Sequence, residues 1–172
     1  MSVQRHTVER FSVTSSQSFK DVLTGLDALI GHPDMEIFQR DVASSSTHAE
    51  MESIIHEAIG PSGLMEFMRF DLGGYLRKET GKTSPKIVRL IAGNPLIMKQ
   101  MVQRVPDAGS YAPVTILIDQ RSDGVHLSYD RMASFLTSYG NSEALKVARD
   151  LDSKVESLLT AAADSQPPAA RQ

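Results

Sequence analysis

The sequence contains no cysteine among its 172 residues. This absence excludes disulfide bonds, thiolate metal sites and a cysteine nucleophile. The first ten residues are polar, and no apolar run in the chain is long enough to span a bilayer. We therefore expect no signal peptide, no membrane partner and a cytoplasmic location.

Clustered positive charge is also absent. The chain carries 18 Lys and Arg residues against 21 Asp and Glu residues, which gives a net charge of −3 and a pI near 5.9. Because phosphate neutralisation requires clustered cations, we expect no nucleic-acid partner. The sequence has no G-x-S-x-G elbow, no G-x-G-x-x-G turn and no P-loop. These absences favour a protein that has no cofactor and no enzymatic activity.

What is present is the composition of an ordinary globular chain, with 41% hydrophobic and 23% charged residues. A chain of this length can bury a sizeable core, so we predict a single domain over residues 1–164. Residues 165–172 include Pro167-Pro168 and are expected to form a flexible tail.

Residues 86–130 organise the rest of the chain. Residues 86–92 are mostly apolar and β-branched, which predicts a strand. Gly93 then allows a turn, Asn94 is a good helix N-cap, and Pro95 fits the first helical position. A strand followed by a short helix is therefore expected here.

A hairpin is predicted directly after that helix. Residues 114–118 and 125–129 each alternate apolar and polar side chains, as strands with one buried face do. The polar turn between them ends in Asp123-Gly124, a pair that tolerates tight hairpin geometry.

The remaining elements follow from periodicity and turn residues. Residues 34–42 fit either a short helix or an edge strand, and we favour the helix. In the strand at 64–72, Arg69 and Asp71 share one face, while Met68 and Phe70 share the other, which Glu66 interrupts. The other predicted elements are a strand at 6–13 and helices at 19–30, 49–59, 75–80, 131–138 and about 142–163.

These features resemble the domain-of-unknown-function family 302. The strand at 64–72, with Asp71 near its end, is similar to a family strand. Two departures are Ala112, where the family usually has Leu, and residues 32–60, which have the character of a helical insertion. The resemblance extends over about residues 7–137 and rests on Ile91-Ala92-Gly93-Asn94-Pro95, on Pro113 before residues 114–118, on Asp123-Gly124 and on Ser128-Tyr129.

The resemblance implies a two-layer α+β fold, in which a mainly antiparallel sheet is backed by helices. Folds of this kind are similar to that of the TATA-box-binding protein. The helical insertion at about 32–60 and an extra C-terminal helix at about 142–163 would be additions to it. The resemblance implies no activity.

Four residues are candidate ligand contacts: Arg69, Asp71, Asn94 and His126. If Arg69 and Asp71 face helices, they form a half-buried pair that would mark a pocket, whereas the alternative is a solvated face. For Asn94 we favour the role of an N-cap, and the alternative is a ligand contact at a helix N-terminus. His126, close to Ser128, is too generic a pair to predict catalysis.

Two sets of side chains could hold metal, but no metal site is predicted. His48, Glu52 and His56 recur at every fourth position and could bind zinc, but we favour a polar helix stripe, because no HExxH core is present. Four methionines could offer thioether ligands to copper(I), but methionine usually fills cores; they are Met65, Met68, Met98 and Met101.

We therefore expect a non-enzymatic homodimer that binds a small apolar or amphipathic ligand between the sheet and the helices. One alternative is a protein–protein interaction module that uses the C-terminal helix. The apolar stripe of this helix must be buried, and we favour contact with a second subunit. Another alternative is a small enzyme that uses Arg69, Asp71 or His126.

Overall fold

The computed structural model describes residue 3 and residues 5–164, so the predicted tail lies outside the described residues. Within them, the chain forms five strands and seven α-helices, which is the predicted α+β class. The elements are β1 (Arg10–Ser15), α1 (Phe19–Asp27), α2 (Met35–Ser44), α3 (His48–Ala58), β2 (Met65–Asp71), α4 (Leu72–Thr80), β3 (Ile87–Gly93), α5 (Pro95–Val102), β4 (Val114–Arg121), β5 (Gly124–Asp130), α6 (Met132–Leu136) and α7 (Ser142–Asp164). Short 3₁₀ turns follow α5 and α6 at Pro106–Ser110 and Thr137–Tyr139.

The five strands form one sheet in the order β1-β5-β4-β3-β2, and all neighbours are antiparallel. Strands β4 and β5 are the predicted hairpin, closed where Arg121 pairs with Gly124. Gly124 has a φ of 142°, and a Cβ atom there would lie 2.5 Å from the carbonyl oxygen of Ser15. The close approach of β1 to this turn therefore requires glycine.

The core lies between one face of the sheet and helices α1, α5, α6 and α7. Strand side chains such as Leu90, Ile116 and Leu127 are fully buried there, and Leu26 of α1 packs into the same core. Each such aliphatic side chain contributes about 2 kcal/mol through burial. The opposite face of the sheet is not covered by these helices, and we call it the open face.

Helices α2 and α3 occupy the segment that the sequence analysis interpreted as an insertion. The helical interpretation of residues 34–42 is confirmed, because the Asp34 carboxylate caps α2 by accepting from two backbone N–H groups. Phe38, Ile55 and Met65 form a second, smaller core beneath these helices.

The apolar stripe of helix α7 does not need the second subunit that we favoured as its contact. The stripe is buried within its own chain, against α1, α5, α6, β1 and β5. Ala148, Leu151 and Val155 belong to the main core, so that core is not closed by residue 137. The expectation was wrong because the stripe has a partner surface on its own sheet.

Strand β2 departs from simple alternation. A bulge between Glu66 and Met68 shifts its register against β3, which places Glu66 and Arg69 on the same face of the strand. Helix α4 then begins at Leu72, three residues before the predicted start at residue 75, and includes Gly73 and Gly74.

Candidate functional site

The open face of the sheet carries a mixture of polar and apolar side chains. Strand alternation places Arg89 of β3 there, because its neighbours Val88 and Leu90 point into the core. The cross-strand partners of Arg89 are Phe70 of β2 and Leu117 of β4. The cation therefore stands between two apolar side chains near the middle of the sheet.

A cavity of about 540 Å³ lies on the open face. This volume falls in the range of about 300–1,000 Å³ that is typical of small-molecule sites. The polar part of its lining includes Arg10, Arg89, Ser110, Thr115, Ser128 and Asp130, and the apolar part includes Ile91, Tyr111, Pro113, Leu117 and Phe135.

The two arginines of the cavity differ in their partners. Arg10 makes a bidentate ion pair with Asp130, with N–O distances of 2.6 and 2.9 Å. This contact raises the pKa of Arg10, and the Asp130 carboxylate compensates the positive charge of its guanidinium. Within residues 5–164, the exposed Arg89 guanidinium forms no ion pair or hydrogen bond. Arg89 is thus the cation of the cavity that is available to an anionic group.

Aromatic rings form one wall of the cavity. Tyr111 stacks on Phe135 with ring centroids 4.6 Å apart and planes 12° apart. The Tyr111 hydroxyl lies 3.0 Å from that of Tyr139, and this hydrogen bond raises the pKa of Tyr139. The wall is therefore fixed by both ring packing and hydrogen bonding.

Asn94, one of the four predicted site residues, is the N-cap of α5. Its Oδ1 accepts from the Leu96 N–H at 2.9 Å, and its Nδ2 donates to the Gly63 carbonyl at 3.0 Å. The predicted capping role is confirmed, and both functions of the amide are already used by the protein.

Arg69 lies on the helix-facing side of β2, at its junction with the end of α1. Its Nη2 is 2.5 Å from Asp27 Oδ1 and 2.6 Å from Glu66 Oε2. Burial lowers the pKa of Arg69, but the hydrogen bonds with Asp27 and Glu66 raise it further, and the net shift is upward. The predicted pairing partner, Asp71, is not involved.

The same junction holds a set of potential metal ligands. One ligand atom from each of Asp27, His32 and Glu66 lies within 4.8 Å of the others. Because the Arg69 guanidinium contacts both carboxylates, it supplies the cation that such a set attracts. We therefore interpret this set as a salt-bridge network.

The two remaining predicted site residues, Asp71 and His126, lie at the start of α4 and on β5. Asp71 caps α4 through the Gly74 N–H and pairs with Arg77 at 2.5 Å, which lowers the pKa of Asp71. His126 lies on the open face of β5, where its Nε2 is 2.9 Å from Asp123 Oδ1. That hydrogen bond lowers the pKa of Asp123.

Sequence reasoning therefore missed the residues that line the open-face cavity. The four predicted residues are engaged at separate contacts, and none of them lines it. One signal for Arg89 was available: it is the charged position inside the otherwise apolar run at 87–92. No local pattern could have indicated Tyr111 and Phe135, because they meet only through the fold.

The two candidate sets of metal ligands, which are the histidine–glutamate stripe of α3 and the four methionines, are also not assembled as metal sites. The Lys99 ammonium contacts His48, whose Nδ1 is 3.4 Å from Glu52, and in the described part of the chain His56 joins no group of three ligands. Met65 is buried under α2 and α3, whereas Met68 is 53% exposed.

The space between the sheet and the helices is mostly filled by the core. A cavity of about 130 Å³ remains at the start of α5, lined by Phe67, Met98, Met101 and Leu151 among others. Its volume is well below that of typical small-molecule sites.

Comparison with known proteins identifies the fold and its relatives. The family model described as "Domain of unknown function DUF302" matches residues 38–162, which is 125 of the 172 residues. The range begins within α2 and ends within α7, so it includes the C-terminal helix. No curated protein matches the chain.

A solved structure is similar to this chain over most of the length of both proteins. It is the crystal structure of an uncharacterized conserved DUF302 protein from Bacillus stearothermophilus, with a TM-score of 0.61 and 13% sequence identity. The alignment covers 89% of this chain and 97% of that chain. At this identity, the likeness shows the fold alone. Among the described residues, no helix has the length and apolar character needed to cross a membrane.

Proposed function

Because the chain belongs to the DUF302 family, whose description states no activity, we propose a function from its own geometry. We propose that it binds a small amphipathic molecule with an anionic group in the open-face cavity. The observation that carries this proposal is the exposed Arg89, which has no partner among the described residues and lies in a cavity of about 540 Å³.

The lining of the cavity accounts for both halves of such a ligand. Arg89 would bind a carboxylate or phosphate oxygen through charge-assisted hydrogen bonds. Ile91, Leu117 and the Tyr111–Phe135 wall would contact the apolar part. This location differs from the one expected from the sequence, because the cavity between sheet and helices has too small a volume for such a ligand.

The alternatives have less support. The apolar stripe of α7 is used within its own core, which leaves little of it for a partner protein. Arg69, Asp71 and His126 are paired at separate contacts, so they do not form one catalytic centre. The homodimer stays a prediction.

The test uses octanoate as an anionic amphipath and 1-octanol as its neutral counterpart. We expect octanoate to raise the melting temperature of the protein, because a ligand that binds only the folded state stabilises it. The Arg89→Gln variant should bind octanoate about tenfold more weakly in calorimetric titration, since it loses a charged hydrogen-bond donor.

Arg40→Gln is the matched control. Arg40 is an exposed arginine on α2 whose partner is the adjacent Asp41, and its loss should leave octanoate binding unchanged. Equal affinities of the wild type and Arg89→Gln, or equal affinities for octanoate and octanol, would contradict the proposal.

A further inference from the structure

A chain of hydrogen-bonding side chains stands behind the aromatic wall of the cavity. His6 precedes β1, Tyr111 precedes β4, and Ser138 and Tyr139 belong to the 3₁₀ turn after α6. Ser138 Oγ is 3.0 Å from His6 Nδ1, and His6 Nε2 is 3.3 Å from Tyr111 Oη. Tyr111 in turn bonds to Tyr139.

Ring packing holds the imidazole in place within this chain. The His6 ring stacks on Tyr139 at 5.6 Å with an interplanar angle of 26°, and it meets Tyr111 edge-on at 5.8 Å. Tyr111 is itself fixed on Phe135. The imidazole is therefore held on two sides by rings from distant parts of the sequence.

The hydrogen-bond directions are mutually compatible in one arrangement. If Nε2–H of His6 donates to Tyr111 and the Tyr111 hydroxyl donates to Tyr139, then Nδ1 of His6 is unprotonated. It can then accept the Ser138 hydroxyl proton. A hydroxyl within reach of a base, with the base oriented by a third group, is the geometry of an activated nucleophile.

We propose that Ser138 is a nucleophile, with His6 as its general base, for acyl transfer from small carboxylic esters. The turn that carries Ser138 directly follows α6, whose Phe135 lines the cavity, and Ser138 is exposed. The acyl group would lie against the Tyr111–Phe135 wall, and only this placement rests on the proposed function.

The step conserves atoms and charge. His6 Nδ1 takes the Ser138 proton while Oγ forms a bond to the ester carbonyl carbon. The bond from that carbon to the alkoxy oxygen then breaks, and the imidazolium returns the proton to the departing alcohol. Water hydrolyses the acyl-serine through the same base, which regenerates both residues.

The same contacts have a purely structural explanation. Ser138 Oγ is also 3.4 Å from the Phe135 carbonyl, so the cluster could serve only to fasten the segment before β1 to α6. The two explanations differ in reactivity: an anchored hydroxyl does not react with an electrophile, whereas a base-activated one does.

The experiment treats the full chain with a fluorophosphonate probe and maps the adduct by mass spectrometry. Reaction would form a bond from the serine Oγ to phosphorus and release fluoride. We expect the adduct on Ser138, its loss in Ser138→Ala, and labelling about 100-fold slower in His6→Gln. Melting curves establish that each variant is folded.

Ser134→Ala is the control, because Ser134 lies in α6, four residues before Ser138, and its hydroxyl donates to the Arg131 carbonyl. It should label like the wild type. Ser138→Ala should lose the adduct while keeping the octanoate affinity of the wild type, because Ser138 does not line the cavity, and this separates the proposal from the preceding one. Absence of an adduct on Ser138 in the wild type, or equal labelling rates with and without His6, would overturn the proposal.

Discussion

Asp152 is a buried carboxylate that holds the start of α6 from a different helix. Its Oδ1 accepts from the Tyr129 hydroxyl at 2.6 Å and from the Met132 N–H at 2.7 Å, while Oδ2 accepts from the Ala133 N–H at 3.1 Å. The residue before α6, Arg131, makes no side-chain cap. Asp152 therefore supplies the cap that the local sequence lacks.

This carboxylate should make stability depend on pH. Burial raises the pKa of Asp152, and the hydrogen bonds from Tyr129, Ala133 and Met132 oppose but do not cancel that effect. Between the ordinary aspartate pKa of 3.8 and the raised value, the folded state binds the proton more tightly than the unfolded state. Stability from this group therefore falls as pH rises through that window.

We predict that Asp152→Asn changes this dependence. The amide keeps an acceptor for Tyr129 and Met132 but cannot ionise, so the wild type should lose stability relative to the variant between about pH 4 and pH 7. Urea denaturation at both pH values measures the two free energies of unfolding. A difference between the proteins that is the same at both values would show that Asp152 does not titrate in this range.

Single residues were predictable where their role was local. Asn94 was identified as a cap because the Asn-Pro order is itself a helix start, and the structure confirms it. The role of Asp152 was not predictable, because its partner Met132 is twenty residues earlier in the chain. In the sequence, Asp152 looks like any other polar residue of a long helix.

At the scale of an element, strand β2 shows what alternation alone cannot predict. The pattern treated residues 64–72 as regular, so Glu66 seemed out of place among apolar side chains. The bulge after Glu66 resets the alternation and aligns its carboxylate with Arg69. The ion pair with Asp27 also required knowing that the end of α1 packs beside β2.

The junction between α1 and β2 should depend on Arg69. Replacing it with alanine would leave Asp27 and Glu66 close together without their cation, which should destabilise the protein by about 2 kcal/mol at neutral pH. The loss should be smaller at high salt, where the ion pairs are screened. Denaturant titrations of the wild type and the variant at low and high salt test this.

Arg40→Ala provides the comparison for that measurement. Its ion pair with Asp41 is exposed on α2, and such pairs contribute less than about 1 kcal/mol. Similar losses for the two variants would mean that the Arg69 network contributes no more than a surface pair. An equal loss for Arg69→Ala at low and high salt would rule out the electrostatic explanation.

For the whole molecule, the layer arrangement was predictable and the candidate site was not. Hydrophobic periodicity and turn residues are local, and they determine which segments become strands and helices. The cavity instead combines Arg10 and Asp130, 120 residues apart, with Arg89 of β3, a strand that β4 separates from β5. Its members come together only because β1 pairs with β5, and nothing in the sequence near Arg10 indicates that pairing.

The placement of α7 leads to a prediction for the whole molecule. Ala148 is fully buried in the main core, whereas Lys146 on the same helix is exposed. Ala148→Asp would bury a charge without a partner, which costs several kcal/mol of a total stability of about 5–15 kcal/mol. We expect this variant to lose its cooperative thermal transition, as measured by circular dichroism.

Lys146→Asp controls for the helix propensity of aspartate, since it introduces the same residue on the exposed side, and it should melt close to the wild type. Native mass spectrometry of all three proteins separates the two roles of the helix. If α7 were a subunit contact, Ala148→Asp would stay folded and its subunit number would fall. If α7 completes the core, Ala148→Asp unfolds, while Lys146→Asp keeps the subunit number of the wild type, whether that is one or two.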